Sequence, residues 1–208
     1  MSTRGSLALV LGLMLAFAGL VVLGAALNGG YSHSRDFISS LAGRGAEQAW
    51  IGIVAFVCFA AAHAVAALRW RRTSLVVGVP LLACCALLLI VGLARASCPD
   101  GAAGCSLLGR PAEADLWDTI HGLSIGIYVL AYVLAAICAG VVLLRRRHPR
   151  LAAAMLAIAV LSILAVGQVD EASPGAEQRI WLAVHAIGLL ALARFAGSAS
   201  ARRSPAPQ

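Results

Sequence analysis

Asp115-Leu-Trp-Asp118-Thr-Ile-His121-Gly122 stands where a polar stretch of the chain turns into its longest apolar run, residues 123–144. Asp118 and His121 lie three positions apart, so in a helix they would share one face. Placing an ionisable side chain at the end of a membrane helix costs free energy, and such residues usually have a functional role. The stretch therefore predicts a membrane helix that begins with candidate functional residues.

The composition of the whole chain is that of a membrane protein. Of its 208 residues, 61% are apolar and only 12% are charged, whereas soluble domains have about 45–50% apolar and about 25% charged residues. The apolar runs predict an all-α integral membrane bundle of six helices in one domain, residues 1–197, followed by a disordered basic tail, residues 198–208. The predicted spans are residues 7–27, 49–68, 74–94, 117–144, 151–169 and 180–197.

The arginines predict the orientation of this bundle. All 16 basic residues are arginines, and with six spans eleven of them fall on the side of the N-terminus. The other five arginines and all nine acidic residues fall on the opposite side. The positive-inside rule therefore places both termini in the cytoplasm. This placement accounts for the net charge of +7 without a nucleic-acid partner.

The use of arginine alone, together with abundant alanine, indicates a GC-rich bacterial genome. The predicted location is therefore the bacterial plasma membrane, which the chain crosses several times. The expected partners are membrane lipids and, as a second option, another membrane protein.

Two of the six cysteines, Cys98 and Cys105, flank a loop that contains glycine and proline on the predicted outer side. A disulfide between them would close a short loop in an oxidising compartment and would stabilise the fold by roughly 2–3 kcal/mol. The alternative is a metal site with two thiolates, but no second pair of cysteines or histidines lies nearby in the sequence. The sequence predicts the disulfide, no metal site and no cofactor.

Polar residues of the first loop and of the starts of spans four and six predict a pocket at the outer face. The candidate binding residues are Arg35, Asp36, Gln178 and Arg179, the candidate catalytic residues are Asp118, His121, His185 and Ser39, and His33 completes the set. We expect Asp118 to orient His121, and Arg179 to reach an acidic neighbour or a lipid phosphate. In the alternative interpretation, these arginines and aspartates pair only with each other and with lipid head groups. Ser39 and Ser40 are either nucleophiles or helix caps.

Three of these motifs carry a family resemblance. Tyr31-Ser-His-Ser-Arg-Asp-Phe-Ile-Ser-Ser-Leu-Ala-Gly43, Asp118-x-x-His121 and Gln178-Arg179 together resemble the bacterial family catalogued as domain of unknown function 998. The resemblance covers about residues 8–195 and implies a six-span membrane protein with no assigned reaction. A fainter similarity is to membrane hydrolases of the alkaline ceramidase superfamily, whose His-x-x-x-His pair is reduced here to His185 alone.

The sequence supports two main hypotheses of function and does not decide whether the protein is an enzyme. The first is that it binds or processes a lipid or an envelope-linked substrate in the outer pocket. The alternative is a non-catalytic membrane partner or a component of a small-solute permease. A third hypothesis, a haem protein that uses His121 and His185, requires both histidines to lie at one depth. Their positions along the predicted spans argue against it, because His121 lies nearer the surface.

Overall fold

The computed structural model of the protein describes residues 3–97, 115–166 and 173–200. The described residues form six α-helices and one 3-10 helix, and no strand occurs among them. All six helices are long and apolar enough to cross a membrane, which confirms the predicted all-α, six-span architecture. The helices are α1 (Thr3–Leu27), α2 (Ala49–Arg71), α3 (Leu75–Leu93), α4 (Leu116–Arg145), α5 (Pro149–Val166) and α6 (Pro174–Ser200), and the 3-10 helix is Ile38–Ala42.

The start of α6 differs from the prediction. The helix begins at Pro174 rather than near residue 180, and it extends to Ser200, into the segment predicted to be disordered. Proline is well tolerated in the first turn of a helix, where its missing N–H has no helical partner. Glu177, also in the first turn, is favoured there by the helix dipole. Gln178 and Arg179 consequently lie inside α6 and project from its early turns.

Helices that follow one another in the chain pack side by side, and α6 closes the bundle by contacting α1, α2 and α4 as well as α5. The most buried span is α2, with 56% of its most apolar stretch inside the bundle, compared with 22% for α5. Small side chains on α2 allow its neighbours to approach closely. Gly52 shows this directly, because a Cβ atom there would lie 2.5 Å from the carbonyl carbon of Leu41.

The two ends of the bundle differ in their connections. One end, which we call the loop end, carries residues 28–48 together with the end of α3 and the starts of α4 and α6. We refer to residues 28–48 as the cap segment. The opposite end carries the basic turns after α2 and α4, where Arg146 donates a hydrogen bond of 3.3 Å to the carbonyl oxygen of Thr73. The arginine-rich connections predicted to be cytoplasmic therefore share the end opposite the cap segment.

The four cysteines of the helices, Cys58, Cys84, Cys85 and Cys138, are free thiols. Cys98 and Cys105 lie outside the described residues. The disulfide between them stays a prediction.

Candidate functional site

The cap segment is attached to α6 through backbone atoms. The Oε1 atom of Gln178 accepts a hydrogen bond of 2.7 Å from the N–H of Ile38, and the N–H of Ala176 donates one of 3.0 Å to the carbonyl oxygen of Ser34. The approach is close at Gly175, where a Cβ atom would lie 2.5 Å from the carbonyl oxygen of Asp36. The structure thus brings the predicted residues Asp36 and Gln178 together, as two parts of one junction.

Arg179 completes this junction in a way that differs from the prediction. Its guanidinium donates to the carbonyl oxygens of Asp36 at 3.1 Å and of Gly175 at 2.6 Å, and to the hydroxyl of Tyr31. The same group lies 5.8 Å from the centroid of the Tyr31 ring, within the range of a cation–π interaction. Arg179 therefore holds the cap segment against α6. Of the two partners predicted for Arg179, the acidic neighbour is absent among the described residues, because backbone carbonyls and a phenol take its hydrogen bonds, and the lipid phosphate stays a prediction.

Tyr31 remains a hydrogen-bond donor beside this arginine. Burial raises the pKa of its hydroxyl above the usual value, against the lowering effect of the Arg179 charge. The hydroxyl is therefore protonated at neutral pH, and the carbonyl oxygens of Asp36 and Phe37 lie 3.4 and 3.3 Å away as acceptors. His33 is exposed, and its ring packs edge-on against Tyr31 with centroids 5.5 Å apart.

A second junction joins the cap segment to α3 and α4. Arg95 donates to the carbonyl oxygens of Ala42 at 2.9 Å and of Gly43 at 2.8 Å. In return, the Nε atom of Arg44 donates to the carbonyl oxygen of Arg95 at 3.0 Å, and its NH2 group pairs with the carboxylate of Asp115. Sequence reasoning did not select Arg44 or Arg95. The available signal was their position on the predicted outer side, where arginines are few. An arginine on that side is expected to have local hydrogen-bonding partners.

Asp118 does not orient His121, contrary to the prediction. Its carboxylate accepts from the N–H and hydroxyl of Ser97, at 2.7 and 2.8 Å, and from the N–H of Asp115 at 3.0 Å. The carboxylate of Asp115 accepts in return from the N–H of Asp118, so the two residues form a capping box at the start of α4. Asp118 therefore caps α4 and fastens it to the end of α3.

His121 is held instead by the end of α3. Its Nδ1 atom lies 2.8 Å from the carbonyl oxygen of Ala94 and 3.1 Å from that of Val91. Because a carbonyl oxygen only accepts, Nδ1 carries the proton, and the Nε2 atom keeps a free lone pair. The His121 side chain is buried, and its Nε2 atom has no hydrogen-bond partner among the described residues.

A small buried cavity lies beneath the 3-10 helix. Its volume is about 30 Å³, which leaves room for about two water molecules. The hydroxyl of Ser39 and the indole N–H of Trp181 are buried here without hydrogen-bond partners in the described part of the chain. No histidine is therefore bonded to Ser39, and the predicted serine nucleophile lacks a base. The lining residues are Phe17, Ile38, Ser39, Phe56, Phe59, Leu88, Val91, Ile125, Tyr128, Gln178, Trp181 and Leu182.

A larger pocket is formed by the cap segment itself, and we call it the loop pocket. Its volume is about 250 Å³. Its wall carries one arginine and two carboxylates, and the predicted binding residues Arg35 and Asp36 are among them. The lining residues are Asn28, Gly29, Gly30, Tyr31, Arg35, Asp36, Ser40, Leu41, Gly45, Ala46 and Glu47.

Deeper in the bundle, α2, α4 and α6 each contribute two rings four positions apart. His63 and His185 each bond through Nδ1 to the carbonyl four residues earlier, at 2.9 and 3.0 Å. Tyr128 lies between these histidines, with ring centroids 5.6 and 5.7 Å from theirs, and its hydroxyl lies 3.4 Å from the Nε2 atom of His63. His185 thus belongs to an interior layer of rings. The three pairs are Phe59 and His63, Tyr128 and Tyr132, and Trp181 and His185.

The residues predicted to form one outer pocket therefore occupy five places. Arg35 and Asp36 line the loop pocket, while Gln178 and Arg179 join the cap segment to α6. The remaining predicted residues lie elsewhere: Asp118 and His121 at the junction of α3 and α4, Ser39 at the buried cavity, and His185 in the ring layer.

Comparison with known proteins agrees with the sequence resemblance. No protein of curated function and no solved structure matches the chain. A family model described as a protein of unknown function, DUF998, matches residues 10–201. That match covers most of the chain and includes residues of all six helices, so the chain belongs to the DUF998 family of membrane-type proteins.

Proposed function

We propose that the protein binds the polar head group of a lipid or envelope-linked molecule in the loop pocket, at the outer face of a bacterial plasma membrane. The observation that carries this proposal is the loop pocket itself, whose volume of about 250 Å³ and charged side chains suit a head group. Sites for small ligands are usually concave and largely formed before the ligand arrives. The loop pocket meets both conditions, because its walls belong to a segment that is attached at two junctions.

The position of the loop pocket relative to the membrane surface supports the proposal that the head group belongs to a lipid. Tryptophan is enriched where a membrane meets water. Trp50 and Trp117 are 59% and 52% exposed, and they lie in the first turns of α2 and α4 at the loop end. Glu47 in the pocket wall is only three residues before Trp50. These positions support a depth near the lipid head groups for the loop pocket.

The orientation in this proposal follows from the arginines and has its own test. We expect reporter fusions after Arg72, Arg150 and Arg203 to read as cytoplasmic, and fusions after Arg44, Gly109 and Gly175 to read as external. An enzyme reporter that works only outside the cytoplasm, paired with one that works only inside, gives the readout at each site. A reversal at any one of the six positions would contradict the proposed topology.

Filling the loop pocket tests the binding site. Ala46 lines the pocket, and Ala46→Trp would place an indole in it. We expect this variant to lose at least about tenfold of the lipid retained by the purified protein, which corresponds to about 1.4 kcal/mol of binding free energy. Native mass spectrometry of protein extracted in mild detergent measures the retained lipid.

Leu116→Trp is the matched control for that experiment. Leu116 is 69% exposed at the start of α4, so this variant adds the same side chain at the loop end without entering either cavity. We expect it to retain lipid as the unmodified protein does. Equal lipid retention by the Ala46 variant and the unmodified protein would refute the loop pocket as the head-group site.

A further inference from the structure

We infer that the loop pocket recognises a primary ammonium group, with the carboxylate of Glu47 as its acceptor. This inference rests on the proposed function and narrows it to one class of head group. Two observations support it. One carboxylate of the pocket wall has no counter-charge among the described residues, and the other charged and polar groups discussed below already make hydrogen bonds.

The positive charge of Arg35, which lines the pocket, is already matched. The Nε atom of Arg35 lies 3.1 Å from the Oδ1 atom of Asp36, and its NH2 group donates to the carbonyl oxygen of Gly30 at 3.0 Å. The other oxygen of Asp36 accepts a hydrogen bond of 2.6 Å from the N–H of Ser32. The pair is thus neutral as a unit, and the described residues of the pocket wall include no free cation that would attract a phosphate.

Two further polar side chains of the wall are also engaged. Asn28 donates to the carbonyl oxygen of Gly24 at 2.7 Å and accepts from the N–H of Gln48 at 3.2 Å. The hydroxyl of Tyr31 accepts from Arg179. These groups fix the shape of the pocket, and a ligand would have to break existing bonds in order to use them.

Glu47 differs from the other charged residues of the wall. Its carboxylate makes no ion pair and no hydrogen bond with any of residues 3–97, 115–166 and 173–200. Its Oε1 atom lies against Gly29, since a Cβ atom on that glycine would be 3.8 Å away. Among the described residues, the pocket wall therefore has one negative charge without a counter-charge, on the exposed side chain of Glu47.

The hydrogen-bonding chemistry of a carboxylate selects among cationic head groups. A primary ammonium has three N–H donors and forms charge-assisted hydrogen bonds with a carboxylate. A trimethylammonium has the same charge but no N–H donor, and phosphatidylglycerol has no ammonium, so the negative charge of its phosphate is not balanced within the head group. We therefore expect phosphatidylethanolamine to bind more tightly than phosphatidylcholine or phosphatidylglycerol.

The test compares these three lipids on the full-length protein in mild detergent. We expect phosphatidylethanolamine to be preferred over phosphatidylglycerol, and Glu47→Gln to reduce that preference by at least about fivefold. Glu177→Gln, which removes an acidic residue at the loop end outside both cavities, should leave the preference unchanged. Native mass spectrometry with equimolar lipid mixtures gives the ratio directly.

The results separate this inference from the function on which it rests. If Ala46→Trp removes lipid but Glu47→Gln leaves the preference unchanged, the ammonium inference is overturned and head-group binding stands. If neither variant changes lipid binding, the ammonium inference and the proposed head-group binding are both overturned. Competition with soluble ethanolamine identifies the source of the ammonium group. If the free amine displaces the lipid at a comparable concentration, the ligand is a soluble amine and not a lipid, and the role of Glu47 is retained.

Discussion

Gly52→Ala is expected to destabilise the protein by roughly 1–3 kcal/mol, the usual cost of forcing an extra methyl group into a well-packed interior. A Cβ atom at this position would lie 2.5 Å from both the carbonyl carbon and the carbonyl oxygen of Leu41, and 2.6 Å from the N–H nitrogen of Ala42. These are backbone atoms of the 3-10 helix, so no side-chain rotation can relieve the contact. Either α2 or the cap segment has to move.

Gly12→Ala provides the matched control. Gly12 also lies in a membrane helix, but a Cβ atom there meets nothing within 4 Å. Alanine in a helix interior is favoured over glycine by roughly 0.5–1 kcal/mol, so this variant should be as stable as the unmodified protein or slightly more stable. Thermal unfolding of the three proteins in one detergent gives the comparison. Equal midpoints for the Gly52 variant and the unmodified protein would contradict the packing described here.

Arg179→Ala is expected to release the cap segment from α6. The substitution removes hydrogen bonds to the carbonyl oxygens of Asp36 and Gly175 and to the hydroxyl of Tyr31. Hydrogen bonds that involve a charged group contribute about 1.5–3 kcal/mol each, and the carbonyls would lose a buried or half-buried donor. We therefore expect amide hydrogen exchange in residues 28–48 to become at least about tenfold faster, since that ratio corresponds to about 1.4 kcal/mol of local opening free energy.

Two further variants make that experiment specific. Arg35→Ala removes a half-exposed ion pair on the same segment, which contributes only about 0–1 kcal/mol, so exchange should change little. Arg179→Lys keeps the charge but loses the planar group that serves several acceptors at once, so it should restore only part of the protection. Unchanged exchange in Arg179→Ala would mean that Gln178 and the contact at Gly175 suffice to hold the cap segment.

The helices were predictable because each apolar run is long enough to cross a membrane and ends at charged or turn-forming residues. The exception is the start of α6, where Ser173, Pro174 and Gly175 have the composition of a loop. Proline fits the first turn of a helix, and glycine is required there by contact with the carbonyl oxygen of Asp36. That contact is with a segment far away in the sequence, so local patterns could not reveal it.

The candidate site was predictable only in part, for a similar reason. The spacing of Asp118 and His121 places them on one face of α4, but spacing says nothing about competing partners. Asp118 accepts a hydrogen bond from Ser97, whereas His121 bonds to the carbonyl oxygen of Ala94. Both partners lie near the end of α3. The ring layer left a stronger local signal, because α2, α4 and α6 each carry two rings four residues apart, as in Trp181 and His185.

The 3-10 helix Ile38–Ala42 is a partition with a compartment on each side. Ile38 and Ser39 line the buried cavity, whereas Ser40 and Leu41 line the loop pocket. These residues form one hydrogen-bonded turn, so a displacement of the turn would change the space on both sides. If a ligand in the loop pocket displaced it, thermodynamic linkage would make the effect equal in both directions. Binding in the loop pocket and the volume of the cavity would then be coupled through the five residues of this turn.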